Sequence, residues 1–184
     1  MMITTKDHRE VEFLRYSNDY SGKLLVYLHG LSMETRNRFG PHSFTEEGIA
    51  EVFNGSAEVS GYIATEVGSG QIVAYSLIMT GFLQADRIRY HGYDVQFPGS
   101  GVCTFAPSVG DQWQSSGLGS RMFEFIVEEI KQSGFGTIIL WGGVQATNLR
   151  AVSFYLKHGF VEAGRFFHNG ENIDMIKYLQ LSPA

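Results

Sequence analysis

The sequence contains little of what marks secreted and membrane proteins. It has one cysteine, Cys103, so no disulfide can form within the chain, and a reducing compartment is expected. No apolar run approaches the roughly 20 residues that span a bilayer. The first ten residues lack the apolar core of a signal peptide. We therefore expect a cytoplasmic protein that does not enter a membrane.

Positive charge is scarce as well. Lys and Arg number 14 against 19 Asp and Glu, which gives a formal net charge of −5, and no basic run occurs. This balance argues against a general nucleic-acid binder, because such proteins carry clustered cations. An acidic surface instead suits a cationic acceptor such as an amine.

The apolar content is sufficient for one folded domain. The 184 residues are 43% hydrophobic, and no repeat, linker or low-complexity segment divides them, so we expect a single domain over 1–184. Apolar runs predict strands, and helical spacing predicts about four helices. Together they indicate an α+β sandwich with a mixed sheet.

These elements are placed by local patterns. The predicted strands are 11–16, 61–67, 72–79, 102–109, 137–141, 161–168 and 172–178. The predicted helices are a short one capped by Asn18 or Asp19, then 45–53, 118–132 and 148–158. The turns Gly68-Ser69-Gly70 and Asn169-Gly170 predict two hairpins. The segment Phe82–Gly101 has mixed polar and aromatic residues, and we expect a strand end and a loop there.

The most informative segment is Gln114-Ser-Ser-Gly-Leu-Gly-Ser120, here called the glycine loop. It follows the predicted strand Val102–Val109 and opens the predicted helix Leu118–Gln132. Such a turn presents unpaired N–H groups at the positive end of a helix dipole, which is a site for phosphate oxygens. A side chain at Gly117 or Gly119 would hold a pyrophosphate away from those amides.

Three classes of phosphorylated ligand use loops of this kind. A nucleoside-triphosphate loop requires Gly-Lys-Ser/Thr, which the sequence lacks. A dinucleotide fingerprint requires a third glycine, and Met122 stands at that position. An NAD-dependent oxidoreductase is therefore disfavoured, and the pattern Gln-x-x-Gly-x-Gly remains.

A second motif follows one strand later. Asn148, Ala151, Phe154, Tyr155, Gly159 and Phe160 form Asn-x-x-Ala-x-x-Phe-Tyr-x-x-x-Gly-Phe. With the glycine loop, in this order, the chain resembles the GNAT superfamily of acyl-CoA N-acyltransferases. The resemblance implies a mixed sheet of about six or seven strands, about four helices and a V-shaped cleft between central strands. It also implies transfer of an acetyl group from acetyl-CoA to a primary amine of a small molecule or protein.

The resemblance assigns the cofactor-binding residues. The main chain of the glycine loop would hold the pyrophosphate, through Gln114, Ser115, Ser116, Gly117, Leu118, Gly119 and Ser120. Val109 would pair with the pantetheine arm through its N–H and C=O, and Asn148 would contact that arm and cap its helix. Gln114 stands where an arginine is common, which removes a charge-assisted contact to phosphate. No metal is implied.

The resemblance also assigns Tyr155 as the general acid. A phenol with a pKa of about 10 stays protonated at neutral pH and can donate to the leaving thiolate. The candidate oxyanion donor is a backbone amide near Ala106–Val109, where relatives have a strand bulge. Pro107 lacks an N–H and suits such an interruption.

The general base is not identified. Thr104 stands where some relatives carry a glutamate, and a hydroxyl is no base at neutral pH. Water, a carboxylate of Asp94 or Glu34, and His91 remain open. The alternative function is therefore a non-catalytic acyl-CoA-binding or sensory domain.

Two stretches resemble the subgroup that acetylates protein lysines. They are Asp111-Gln-Trp-Gln114, in which Trp113 is expected to pack against the loop, and Leu31–His42. Arg36, Arg38 and His42 could bind an anionic group on the acceptor, or Arg38 could fix the loop while Phe39 anchors it. Relatives also make a homodimer an open possibility.

Overall fold

The computed structural model describes residues 1–55, 58–97 and 101–180. Within these residues nine strands form a mixed sheet, accompanied by six α-helices. The strands are β1 (Met2–Thr4), β2 (Glu10–Arg15), β3 (Val59–Glu66), β4 (Ile72–Thr80), β5 (Val102–Val109), β6 (Thr137–Leu140), β7 (Val144–Gln145), β8 (Val161–Phe167) and β9 (Glu171–Tyr178). The helices are α1 (Ser21–Gly30), α2 (Met33–Arg38), α3 (Glu46–Asn54), α4 (Gln84–His91), α5 (Leu118–Gln132) and α6 (Leu149–Lys157).

The predicted α+β class is confirmed, with more elements than expected. The additional strands are the short β1 and β7, and the additional helices are α2 and α4. None of the helices in the described ranges is long and apolar enough to cross a bilayer.

The chain separates into two compact units. The first contains Met1–Ile78 and Ala106–Ile126, and the second contains Met79–Phe105 and Val127–Ala184. Strands β4 and β5 and helix α5 each pass from one unit to the other.

The first unit contains the order β1-β2-β3-β4-β5. The β3–β4 hairpin closes at Glu66, whose N–H donates to the Gln71 carbonyl at 2.9 Å, as the glycine-rich turn predicted. The predicted amphipathic pattern of α5 is confirmed, since Leu118, Met122 and Ile126 are buried at one-turn spacing.

The second unit contains the order β4-β5-β6-β9-β7, with β8 on β9. Strands β5 and β6 are parallel, and their register runs from Val102–Thr137 to Phe105–Leu140. The Trp141 N–H then donates to the Phe105 carbonyl at 2.9 Å. β5 continues beyond this paired segment to Val109.

The sequence predicted a bulge in β5, but β5 has no extra residue relative to β4. The Gly110 N–H donates to Val73 at 2.9 Å, and the Gly81 N–H donates to Val102 at 2.8 Å. The same number of residues separates these two points on both strands. Because Gly110 points towards β4, the alternation turns Pro107 away from it, so the missing N–H costs no β4 bond.

The strand end and loop predicted for Phe82–Gly101 were wrong for the part that forms α4; Pro98–Ser100 lie outside the described residues. The helix is fixed by charge, because Arg89 forms ion pairs of 2.7 Å with both Asp86 and Asp174. Both carboxylates are buried, and burial raises the pKa of Asp86. A helix held by a distant partner, Asp174, gives no periodic signal in its own sequence.

Candidate active site

The glycine loop has the backbone conformation of an anion-binding turn. β5 leads through Gly110 into a short 3-10 turn, and α5 begins at Leu118. Ser115 and Gly117 have φ values of 65° and 86°, in the left-handed region that favours glycine. In the described part of the chain, the N–H groups of Ser115, Ser116, Gly117 and Gly119 have no acceptor. Successive free N–H groups of this kind form a concave anion site.

Ser116 has a structural task within the loop. Its buried hydroxyl donates to the Trp113 carbonyl at 2.6 Å and accepts the Leu118 N–H at 3.4 Å. It therefore caps the start of α5, and only its main chain is left to meet a ligand.

The structure brings Gln114 and Val109 together. The Gln114 side-chain amide donates to the Val109 carbonyl at 3.2 Å, and both residues are half-buried. The Val109 carbonyl therefore already has one donor, and the pairing of Val109 with the pantetheine arm stays a prediction. The Val109 N–H, which the alternation turns away from β4, is the group left for the arm.

Trp113 lies in the short 3-10 turn that leads into the loop. It is buried, and the Arg9 guanidinium lies 3.5 Å from its ring centroid. Arg9 also donates to the Gln112 carbonyl at 3.0 Å and forms an ion pair with Asp7. The loop is thereby attached to the turn between β1 and β2.

Asp111 attaches the same segment to α2. Its carboxylate accepts the Ser32 N–H and hydroxyl, both at 2.8 Å, and the Thr35 hydroxyl at 2.7 Å. Burial opposes ionisation, but these hydrogen bonds outweigh it, and the pKa of Asp111 is lowered. The Asp-x-Trp pair thus holds the approach to the loop from two sides.

The cations of the 31–39 stretch are occupied in holding the chain. Arg36 donates to the Leu31 carbonyl at 2.9 Å and also to the His29 carbonyl, while Arg38 pairs with Glu34 at 2.6 Å. Phe39 is buried, as its predicted anchoring role requires. The loop-fixing role expected of Arg38 is corrected, because Arg38 pairs with Glu34 within α2 and the contacts with the preceding segment are made by Arg36.

His42 belongs to an aromatic cluster. Its ring centroid lies 5.8 Å from the Phe39 and Tyr75 rings and 6.3 Å from Phe44. Tyr16 packs against the same Tyr75 ring at 6.3 Å. This packing differs from the exposed anion-binding role that the sequence allowed for His42.

The structure does not identify a general base among the candidates left open by the sequence. Thr104 is fully buried, and its hydroxyl donates to the Gly81 carbonyl at 2.6 Å. Glu34 is committed to Arg38, and Asp94 and His91 are exposed. Thr104 therefore has a structural role.

The second motif forms α6 and its cap. The Asn148 side-chain oxygen accepts the Ala151 N–H at 3.3 Å, which makes it the N-cap that the sequence allowed. Tyr155 is buried, with the Phe154 and Phe160 ring centroids each 5.3 Å away. Burial raises the pKa of Tyr155, so its hydroxyl keeps its proton throughout the neutral range.

A cavity of about 640 Å³, which is large enough for a small molecule, lies beside α1, the β3–β4 turn and the residues Gly110–Trp113 that lead into the loop.

Cys103 is fully buried, as predicted, and burial raises its pKa to about 12.

A match to a family model defines the class of protein. The model described as Acetyltransferase (GNAT) family matches residues 41–160, a range that contains the glycine loop and all of α6. The chain therefore belongs to the GNAT acetyltransferase family, and the protein is an acetyltransferase. No curated protein matches the sequence.

Solved structures agree with this fold. The GNAT domain of S. lividans PAT has a TM-score of 0.75 at 15% identity, covering 97% of this chain and 96% of that one. The ribosomal-protein-S18-alanine N-acetyltransferase from Escherichia coli gives 0.62 at 18% identity, covering 95% and 96%. AAC(6')-Ib in complex with paromomycin and acetyl-CoA gives 0.65 at 19% identity, covering 91% and 93%. At these identities the similarity concerns the fold.

Proposed function

We propose that the protein transfers the acetyl group of acetyl-CoA directly to a primary amine of a small molecule or protein. The observation that carries this proposal is the glycine loop, with free N–H groups at Ser115, Ser116 and Gly117 ahead of α5. A diphosphate carries several oxygens that can accept from such a set of amides. Family membership supports coenzyme A as the source of that diphosphate.

The residues divide the reaction between them. The glycine loop holds the pyrophosphate, the Val109 N–H pairs with the pantetheine arm, and Asn148 contacts that arm while capping α6. Tyr155 is proposed as the general acid that protonates the departing thiolate, a role supported by its place in the second motif. The raised pKa keeps the proton on its hydroxyl until the thiolate develops.

A direct assay tests the proposal. Purified protein with acetyl-CoA and pools of small amines, polyamines and lysine-containing peptides should release free CoA thiol. Mass spectrometry should then find one added acetyl group on the acceptor. No release of CoA thiol with any of the pools would count against the catalytic function.

One observation favours a second candidate, a non-catalytic acyl-CoA-binding domain. Thr104 is buried and bonded to Gly81, so it offers no base on β5. This candidate predicts that calorimetry detects CoA binding while no amine pool yields thiol. Calorimetry and the thiol assay on one protein sample therefore distinguish the two functions.

A further inference from the structure

Lys6 lies directly against the glycine loop. Its main-chain N–H donates to the Ser116 carbonyl at 3.0 Å. A Cβ built on Gly117 would lie 3.3 Å from Lys6 Cε and 3.4 Å from Cγ, so the lysine chain runs across this glycine. Lys6 is exposed, so its ammonium group lies in solvent beside the loop.

The turn that carries Lys6 is fixed at both ends. Within the turn, the Thr5 N–H donates to the Arg9 carbonyl at 2.9 Å, and the Thr5 hydroxyl donates to Asp7 at 2.5 Å. Lys6 is bonded to Ser116, and Arg9 lies on Trp113 and donates to Gln112. Because the backbone is held in this way, little ordering of the main chain is required when the side chain contacts a ligand.

The other side chains near the loop are already engaged. Arg9 is paired with Asp7, and Arg121 with Glu124 at 2.9 Å. The Gln114 amide, at the position where the resemblance expects an arginine, is turned to Val109. Over the ranges that the structure describes, the Lys6 ammonium has neither a carboxylate nor a hydrogen-bond acceptor.

We propose that Lys6 supplies the cationic contact to the pyrophosphate of acyl-CoA, in place of the arginine that the loop lacks. The inference rests on the proposed function, since it requires CoA on the glycine loop. Loop amides supply partial charges only, whereas an ammonium adds a full positive charge and up to three donors to phosphate oxygens. Lysine serves here because it acts as a point charge and needs no bidentate geometry.

The test compares charge and packing at Lys6. Lys6→Met keeps an unbranched apolar chain over Gly117 and removes the charge, and Lys6→Arg keeps the charge. Lys131→Met, in the last turn of α5, removes the same charge elsewhere. In calorimetry with CoA at low salt, Lys6→Met should weaken affinity roughly three- to thirtyfold, the range of one charge-assisted contact at a partly exposed site. Lys6→Arg and Lys131→Met should bind like the wild type.

A second ligand identifies the phosphate. Dephospho-CoA keeps the diphosphate and lacks the 3′-phosphate, so the loss caused by Lys6→Met should persist with it. With S-acetylpantetheine, which has no pyrophosphate, the kcat/KM of Lys6→Met should equal that of the wild type.

Each failure has a distinct meaning. Equal CoA affinity in Lys6→Met and wild type, with activity intact, would overturn the role of Lys6 and leave the proposed function standing. A loss that disappears with dephospho-CoA would also overturn it, because the contact would then be to the 3′-phosphate. A wild-type protein that binds no CoA would remove the proposed function itself.

Discussion

His42 Nε2 lies 3.3 Å from the hydroxyl oxygen of Tyr75. Its other ring nitrogen, Nδ1, lies 2.8 Å from the Ser43 carbonyl, which can only accept. Nδ1 therefore carries a proton, whereas Nε2 can accept from the tyrosine in the neutral ring or donate to it in the charged ring. Burial lowers the pKa of His42, in agreement with the neutral form.

The lowered pKa of His42 predicts that the folded protein loses stability as the pH falls. A lowered pKa in the folded state means that the unfolded chain, with a histidine pKa near 6.5, binds more protons below about pH 6.5. The contribution of His42 to stability is therefore present at higher pH and is lost as the pH falls. His42→Gln should flatten the decline in the free energy of unfolding between pH 7.5 and 5.5, measured by urea denaturation.

The matched control is His168→Gln, at an exposed position in the β8–β9 turn. The groups that face His42 are the Ser43 carbonyl, the Tyr75 hydroxyl and the rings of Phe39 and Phe44. None of these four partners is a carboxylate. An unchanged slope in His42→Gln would mean that its titration is not coupled to folding.

A second prediction concerns Tyr16. Its hydroxyl is buried without a hydrogen-bond partner in the described chain, while its ring stacks on Phe53 at 4.6 Å. Tyr16→Phe keeps the stacking and removes a desolvated polar group, so it should leave stability unchanged or raise it by up to about 1 kcal/mol. Thermal unfolding measures this, and a clear loss of stability would indicate a partner for the hydroxyl.

Asp111 is predicted to stabilise the approach to the glycine loop. Asp111→Ala removes the acceptors for Ser32 and Thr35, and it should lower the free energy of unfolding by about 1 kcal/mol, since the site is exposed. A double-mutant cycle with Ser32→Ala should show positive coupling. Asp19→Ala, at a carboxylate 3.4 Å from the Ser17 hydroxyl, is the control. Strict additivity would contradict the contact.

Gly117→Asp is predicted to abolish CoA binding. The substitution places bulk and negative charge against the proposed pyrophosphate and strains a residue with φ of 86°. Gly134→Asp imposes similar strain at φ of 81°, where an added Cβ meets nothing within 4 Å. Calorimetry should detect binding in the control alone. Retained affinity in Gly117→Asp would place the phosphates elsewhere.

Tyr155→Phe is predicted to separate chemistry from binding. Loss of one general acid should lower kcat roughly ten- to a thousandfold while acetyl-CoA affinity changes little. Tyr178→Phe, at an exposed tyrosine that ends β9, should leave kcat unchanged. Steady-state kinetics and calorimetry on the same samples provide both readings. A normal kcat would remove Tyr155 from the mechanism.

Local signals in the sequence were sufficient to predict the position of the glycine loop. The apolar run of β5, the glycines and the spacing of Leu118, Met122 and Ile126 all lie within one short segment. The conformations of such turns are dictated by neighbouring residues, so their position is predictable. The same holds for the Asn169-Gly170 hairpin and the Asn148 cap.

Contacts between distant segments were not predictable in this way. Lys6 reaches Gly117, Arg89 reaches Asp174, and Asp111 reaches Ser32. None of these pairs shares a period or a motif, because each depends on how strands and helices pack after they form. The helix α4, the contact of Lys6 with the glycine loop and the contacts of Asp111 with Ser32 and Thr35 were therefore not predicted.

The burial of Cys103 has a practical consequence for every assay above that follows CoA. With a pKa of about 12, fewer than about one in a thousand of these thiols is ionised at pH 8, and chromogenic disulfide reagents react with the ionised form. Because the chain has no second cysteine, the folded enzyme should contribute almost no colour of its own. Each increment of absorbance would then count one turnover, even at high enzyme concentration.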